Sequence, residues 1–208
     1  MKKKKFFAGC LLISLSILTG GILVSVFGDI NLTSSLRNFS LNHPDFIKVI
    51  NFITKYGNYL YYFLFTGFFL YGVFKKEKKL VKIGVIYFVL QIVISVLFTT
   101  FIKNAIGRPR PGYGYTHHFF TGRYIYESFP SGHAVDASCS AGVLWSFLSS
   151  YSLSFSSFLF SLLIGLSRIF IGAHYFLDVL AGMVLGFFPS ILVMSKLRAK
   201  GDSHSPFN

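Results

Sequence analysis

Apolar residues along this chain gather in six long runs rather than in one-sided stripes. The runs lie at about 6–27, 58–74, 83–102, 133–149, 153–171 and 176–194. Each has roughly the 17–25 residues that a helix needs to cross about 30 Å of hydrocarbon. The pattern predicts an all-α, polytopic membrane protein with six transmembrane helices. The second and fourth runs are the shortest, so their boundaries are the least defined. Between the first two runs, Asn42-His43-Pro44-Asp45 has the makings of a helix start, with an early proline and an acid in the first turn. Phe46, Val49, Ile50 and Ile53 follow at i, i+3, i+4, i+7 spacing. That spacing predicts a short amphipathic interfacial helix within 28–57, either packing only or bordering a lipid entrance. No internal repeat divides the chain, which reads as a single membrane-integral domain over 1–208.

Composition supports the bilayer as the solvent. Hydrophobic residues make up 53% of the 208 positions and charged residues only 13%, about half the charge of an ordinary soluble domain. Lys and Arg outnumber Asp and Glu by 20 to 7. The excess sits beside the apolar runs: Lys2 to Lys5, then Lys75, Lys76, Lys78, Lys79 and Lys82, then Lys196, Arg198 and Lys200. Basic clusters of this kind anchor cytoplasmic loops against anionic headgroups. No basic helix or interleaved aromatic strand suits nucleic acid, so that partner class is excluded. With the first lysines inside, alternation places both termini in the cytoplasm and segments 28–57, 103–132 and 172–175 outside.

Cys10 and Cys139 fall within apolar runs and read as buried thiols, not as a disulfide framework or metal ligands. The Lys-rich, then apolar N-terminus imitates a signal peptide. At 22 residues, however, Phe6–Phe27 exceeds a usual signal core and lacks a clear small-x-small cleavage site. The Phe7-Ala8-Gly9-Cys10 run is similar to a lipoprotein processing site, but almost no apolar segment precedes it. The first run is therefore expected to stay as a span.

The unusual polar residues lie on the outer side of this topology or within about a turn of it. Lys103 closes the third run, and Arg108 and Arg110 follow in Gly107-Arg108-Pro109-Arg110-Pro111, where two prolines stiffen the loop. Three cations so close repel one another unless an anion joins them, and phosphate suits both the Arg fork and the Lys point charge. A cationic loop touching headgroups is the plainer alternative. Pro130-Ser131-Gly132-His133 opens the fourth run. Ser131 is a suitable N-cap, Gly132 lets an anion approach the backbone, and free N–H groups at a helix start bind phosphate. His133 falls in the first turn, able to move a proton near neutral pH. Asp136, three residues on, either bonds His133 or points into a wet cavity. Ser167-Arg168 ends the fifth run, Gly172 breaks the helix after it, and His174 and Asp178 follow at i, i+4. A carboxylate holding one imidazole nitrogen would leave the other as a neutral nucleophile or base. An interfacial His–Asp pair without chemistry is the plainer alternative.

Taken together, Lys103-x6-Arg110-Pro111, Pro130-Ser131-Gly132-His133 and Ser167-Arg168-x5-His174-x3-Asp178 resemble the motifs of the type 2 phosphatidic acid phosphatase family, in order and without a departure. That family shares its active-site plan with vanadium-dependent haloperoxidases, so a haloperoxidase-like helical core is implied, with its motifs over 103–178. The resemblance implies His174 as the nucleophile that forms a phosphohistidine and Asp178 as the residue that orients it. His133 would be the general acid and then the base. Lys103, Arg110, Ser131, Gly132 and Arg168 would hold the phosphate oxygens. Arg108 lies outside the matched positions and counts only as supporting charge. Three cations and a helix N-terminus supply the charge stabilisation that phosphoryl transfer needs. No cofactor and no metal are therefore expected, His117 and His118 being adjacent and poorly placed to share an ion.

The implied substrate is a lipid phosphate monoester or pyrophosphate reached from within the bilayer. Family members act on phosphatidylglycerol phosphate, phosphatidic acid, undecaprenyl pyrophosphate and lipid A phosphates, and nothing in the sequence distinguishes these. Tyr115, Phe119, Phe120 and Tyr124 form a belt-like aromatic set that either lines the entrance or anchors the loop. A scramblase or transporter using the cations to pass headgroups is the alternative from another class. It predicts charges spread along the spans, which here are nearly free of them.

Overall fold

The computed structural model describes residues 2–203, and side chains for 3–197. Lys2, Arg198 and Lys200, three of the expected anchoring cations, therefore lie outside the residues with described side chains. Among the described residues, eight α-helices account for the six apolar runs and more: α1 (Lys2–Phe27), α2 (Asp29–Leu41), α3 (Pro44–Phe74), α4 (Lys78–Leu90), α5 (Thr99–Ile106), α6 (Gly132–Phe147), α7 (Tyr151–Phe170) and α8 (Phe176–Ser203). No strand occurs among the described residues. Helices α4 and α5 are one rod joined by a π-helical stretch, Gln91–Phe98. The Thr99 hydroxyl donates to Ile94 O, five residues back, at 2.8 Å.

Four of these helices are long and apolar enough to cross a membrane: Lys3–Phe27, Lys78–Ile106, Tyr151–Phe170 and Phe176–Leu197. The other two expected spans differ for separate reasons. The second apolar run is the last half of α3, whose tyrosines dilute its hydropathy. The fourth is α6, with only 16 residues. That length reaches about 24 Å at 1.5 Å per residue, short of the hydrocarbon thickness. Helix α6 nonetheless lies at the centre of the bundle, with eleven of its residues buried. The chain is an all-helical membrane protein.

The amphipathic stretch after Pro44 and the second apolar run form one unbroken helix, Pro44–Phe74, with Pro44 at the start where the sequence placed it. Helix α2, which occupies most of the preceding connection, was not expected.

Helices α6 and α8 pack closely, and small residues make it possible. A Cβ on Gly182 would stand 2.7 Å from Ser131 O, and one on Gly142 would stand 2.8 Å from Ser190 Cβ. Close backbone approach of this kind is how membrane helices gain van der Waals contact without a hydrophobic driving force. It also fixes the start of α6 against the first turns of α8, which carry the chemistry. At the far end of the bundle, Lys5 is buried instead of facing headgroups. It donates to Leu148 O at 2.5 Å and Ser154 Oγ at 2.7 Å, while Trp145 Nε1 donates to Lys5 O at 2.9 Å. The lysine thereby neutralises free carbonyls where α6 ends.

Candidate active site

Three separate segments meet at the end of the bundle opposite Lys5. The first is the loop after α5. Gly107 adopts φ 57°, a left-handed conformation that ends the helix, and the loop then folds back so that Arg110 N bonds Ile125 O and Ser128 N bonds Arg108 O. Arg110 is held from several sides. It donates to Tyr124 O at 2.9 Å, Ala173 O at 2.8 Å and Glu127 O at 3.2 Å, and stacks 3.8 Å from the Tyr124 ring centre. Lys103 Nζ reaches the same Glu127 carbonyl at 2.6 Å. One carbonyl oxygen thus holds two cations side by side. Burial pulls the Arg110 pKa below its usual value, against the attraction of Tyr124 and Asp178.

The second segment is the turn between α7 and α8. Gly172, with φ 72°, reverses the chain, and the amides of Ala173 and His174 bond Arg168 O at 2.9 and 3.3 Å. Arg168 and His174 are thereby brought to one pocket, as the glycine break predicted. The His174–Asp178 relation differs from the expected direct pair on one helical face. His174 precedes α8, and its Nδ1 lies 2.7 Å from Ser128 O but 3.6 Å from Asp178 Oδ2. A carbonyl only accepts, so Nδ1 carries the hydrogen and Nε2 keeps its lone pair. Nε2 lies 3.1 Å from Arg110 Nη1. The imidazole is 2% exposed. Burial, reinforced by the Arg110 and Lys103 charges and only partly offset by Asp178, holds its pKa at about 3. It is neutral at physiological pH.

Asp178 is fully buried and densely bonded. Its carboxylate accepts from the Ser128 hydroxyl at 2.5 Å, Tyr175 N at 2.9 Å and Arg108 Nη1 at 2.6 Å. Arg108 is therefore more than background charge, because its other nitrogen lies 2.6 Å from Asp29 of α2. Burial works against the Arg108 charge, but Asp178 and Asp29 outweigh it and raise its pKa. Ser128 and Asp29 were not foreseen. Ser128 sits in an unremarkable run before Pro130. Asp29 could have been caught as a first-turn acid after a glycine, a helix-start signal.

The third segment is the start of α6. Ser131 is at the N-cap position, but its hydroxyl makes no capping bond. Its amide donates to Asp178 O at 2.9 Å, and its buried Oγ has no partner. A Cβ on Gly132 would meet only Lys103 Cε, at 3.8 Å, which puts the lysine side chain beside the free N–H groups of the first turn. His133 is half-buried, with Arg168, Lys103 and Arg110 near enough to act on its charge. Arg168 donates from Nη1 to Thr54 at 2.8 Å, and its buried Nε has no partner. All eight residues singled out as catalytic or phosphate-binding thus fall in one contiguous region. Asp136 does not bond His133; it accepts from Asn58 at 2.9 Å and from the Tyr62 hydroxyl. His117 bonds Ile106 O, and the His118 ring packs on Tyr126.

A region with several cations, unpartnered buried donors and a neutral imidazole has the chemistry to hold a tetrahedral anion beside a nucleophile. Several known proteins are similar to this chain. The chain is 31% identical over 116 residues to the lipid A 1-phosphatase of Rhizobium johnstonii, covering 51% of this chain and 45% of the relative. It spans about half the length of the lipid A 1-phosphatases it matches. It is 29% identical over 175 residues to the undecaprenyl-diphosphatase of Sulfolobus acidocaldarius, covering 79% of each chain. Among solved structures, Aquifex aeolicus LpxE matches 81% of this chain and 94% of its own, with 26% identity and a TM-score of 0.58. A Bacillus subtilis PAP2-type phosphatidylglycerolphosphate phosphatase covers 100% and 99% at a TM-score of 0.57; at 19% identity it speaks for the fold alone. Residues 84–202, more than half of the chain and inclusive of every motif residue above, match the PAP2 superfamily, and the protein belongs to that family.

Proposed function

We propose that this protein is a metal-independent lipid phosphatase that hydrolyses a phosphate monoester or pyrophosphate of a membrane lipid. The observation that carries the reading is the pairing of two unpartnered, buried donors with a lone-pair nitrogen. Ser131 Oγ and Arg168 Nε have no partner in the protein, and His174 Nε2 is free of a proton beside Arg110. Unsatisfied buried donors are costly unless a ligand completes them.

The chemistry follows from the placement. Lys103, Arg110, Arg168, Ser131 and the Gly132 N–H hold the phosphoryl oxygens. His174 Nε2 attacks phosphorus, the N–P bond forms and the ester P–O bond breaks, while His133 gives its proton to the leaving oxygen. Water then attacks the phosphohistidine, His133 takes a proton from it, and the N–P bond breaks to release phosphate. Ser128 O fixes the ring and Asp178 offsets the positive charge that the imidazole gains. The electrostatics of the cations replace what a metal would supply.

Names of relatives point to lipid A and undecaprenyl diphosphate as substrate types. The shared feature is a phosphate on a bilayer-anchored leaving group. We infer six spans in one domain over 1–208, with α3 and the buried α6 joining the four helices that are long and apolar enough to cross by themselves. Both termini are assigned to the cytoplasm of the cell membrane and the pocket to the outer side. The exposed Lys75, Lys76, Lys78 and Lys79 between α3 and α4, with Lys79 over the Phe147 ring at the end of α6 away from the pocket, support this orientation. The scramblase alternative predicts charges along the spans, and among the described residues no charged path follows them.

Phosphate release from detergent-purified protein on a panel of lipid phosphates tests the reading. The His174→Ala variant should lose at least about a thousandfold in rate. Equal release by both proteins would sink the enzyme assignment, as would full inactivation of the wild type by a chelator for its metal-free character.

A further inference from the structure

Helix α2 packs Arg37 against Gly172 in the α7–α8 turn, and its contacts with the start of α8 are unusually directed. Asp29 Oδ1 accepts from Leu177 N at 3.0 Å, and Thr33 Oγ1 accepts from Phe176 N at 3.1 Å. These two side chains cap the start of α8, the helix that carries Asp178. Asp29 Oδ2 then takes one nitrogen of Arg108, whose other nitrogen holds Asp178 Oδ1, both at 2.6 Å. The guanidinium lies 4.2 Å from the Tyr175 ring centre. None of the three side chains is more than 18% exposed.

We propose that Asp29 and Arg108 are positioning residues that set the charge His174 meets as it is phosphorylated. The inference rests on the phosphatase reading above. Arg108 alone would hold the Asp178 carboxylate in place but cancel its charge, leaving nothing to offset the imidazolium formed when Nε2 takes the phosphoryl group. Asp29 removes that conflict. Two carboxylates and one guanidinium leave one net negative charge, spread over a rigid fork whose near end is 3.6 Å from His174 Nδ1. Bridging the two acids, Arg108 holds Asp178 Oδ1 through one nitrogen, while Oδ2 stays directed at Ser128 and the His174 ring. The clamp touches no phosphate ligand, so its influence falls on the chemical step and not on binding.

The test compares kcat and KM for D29N, R108Q and the double variant D29N/R108Q, after each is shown to elute and melt like wild type in detergent. In D29N the guanidinium cancels Asp178; kcat should fall by about ten- to a hundredfold with KM within about threefold. In the double variant Asp178 again carries one uncancelled charge, so kcat should recover at least several-fold over D29N. A merely structural role predicts a double variant no better than either single one, and that result overturns the proposal. So does a loss carried by KM. Should D29N fail the folding check, D29E and R108K decide: both keep their charge and should stay within about threefold of wild-type kcat, and a tenfold loss in both overturns the proposal. Full activity of His174→Ala would instead remove the phosphatase reading, whatever the clamp variants do.

Discussion

Asp178 is fully buried and Asp136 half-buried on adjacent helices, α8 and α6, and their surroundings could hardly differ more. Asp178 meets a guanidinium, a hydroxyl and a backbone amide, with an imidazole near by. Asp136 meets only neutral groups, the Asn58 amide and the Tyr62 phenol, and its second oxygen is buried without a partner, as is Asn58 Oδ1. The first carboxylate is held as a charge and tied through Arg108 to a second helix. The second is accommodated in a polar patch that continues through Gln91 and Ser140 towards Tyr87. A buried acid is thus not informative by itself. What distinguishes the two is whether cations surround it, because a compensated charge is ready for electrostatic work and an uncompensated one is only tolerated.

The sharpest way to break this comparison is to neutralise each acid in turn. D178N should lower the phosphatase rate by about a thousandfold. It should also destabilise by about 3 kcal/mol, since it leaves Arg108 with a lost partner. D136N should retain the rate within about tenfold, because each of its partners is neutral. Phosphate release and thermal melting on the same preparations check both, and equal losses would dissolve the distinction.

A second contrast concerns the serine beside each acid. Ser128→Ala removes one hydrogen bond to Asp178 while keeping the carbonyl that holds His174. An activity loss of about tenfold is expected, with about 1–2 kcal/mol of stability. Ser140→Ala, in the Asp136 patch, should leave the rate within about twofold.

The third concerns acid. The folded protein keeps His174 neutral down to about 3, against an ordinary value of 6.5. The unfolded chain therefore binds a proton in this window that the folded one refuses. Stability should fall as pH drops from about 6.5 towards 3, and rise again when pH is restored. Melting temperatures at pH 5 and 7 measure this, and the difference should shrink in His174→Gln. An unchanged difference would show that the ring is not held neutral by the fold.

The smallest effect is expected at Tyr62→Phe, which removes one donor from Asp136 and should cost about 1 kcal/mol without altering the rate.

Much of the site was legible because its residues come in three short motifs whose spacing is local: a lysine and an arginine on one stiff loop, a helix start, and a turn after Gly172. Their convergence was legible as well, since alternation of the apolar runs put all three on one side. Ser128 was not, since its role depends on which carbonyl lies next to His174, and a serine two residues before a proline has no distinctive pattern. The same holds for Arg108, whose partner Asp29 is 79 residues away.

For the fold, hydropathy alone determined that the chain is helical and built for a bilayer, because backbone groups in hydrocarbon must be satisfied within each segment. Pro44 set the start of its helix through its fixed φ and missing N–H. Tertiary structure decided the rest. Helix α2 is polar enough to read as a connection and is held by contacts to α8 and the pocket. The short α6 belongs at the centre because glycines on α8 and α6 let the two backbones meet, a fit that depends on both surfaces together. Whether Asp178 or Ser128 would take the Nδ1 hydrogen of His174 was likewise a matter of tenths of an ångström. Sequence periodicity does not reach that scale; the packing of the loop against α8 does.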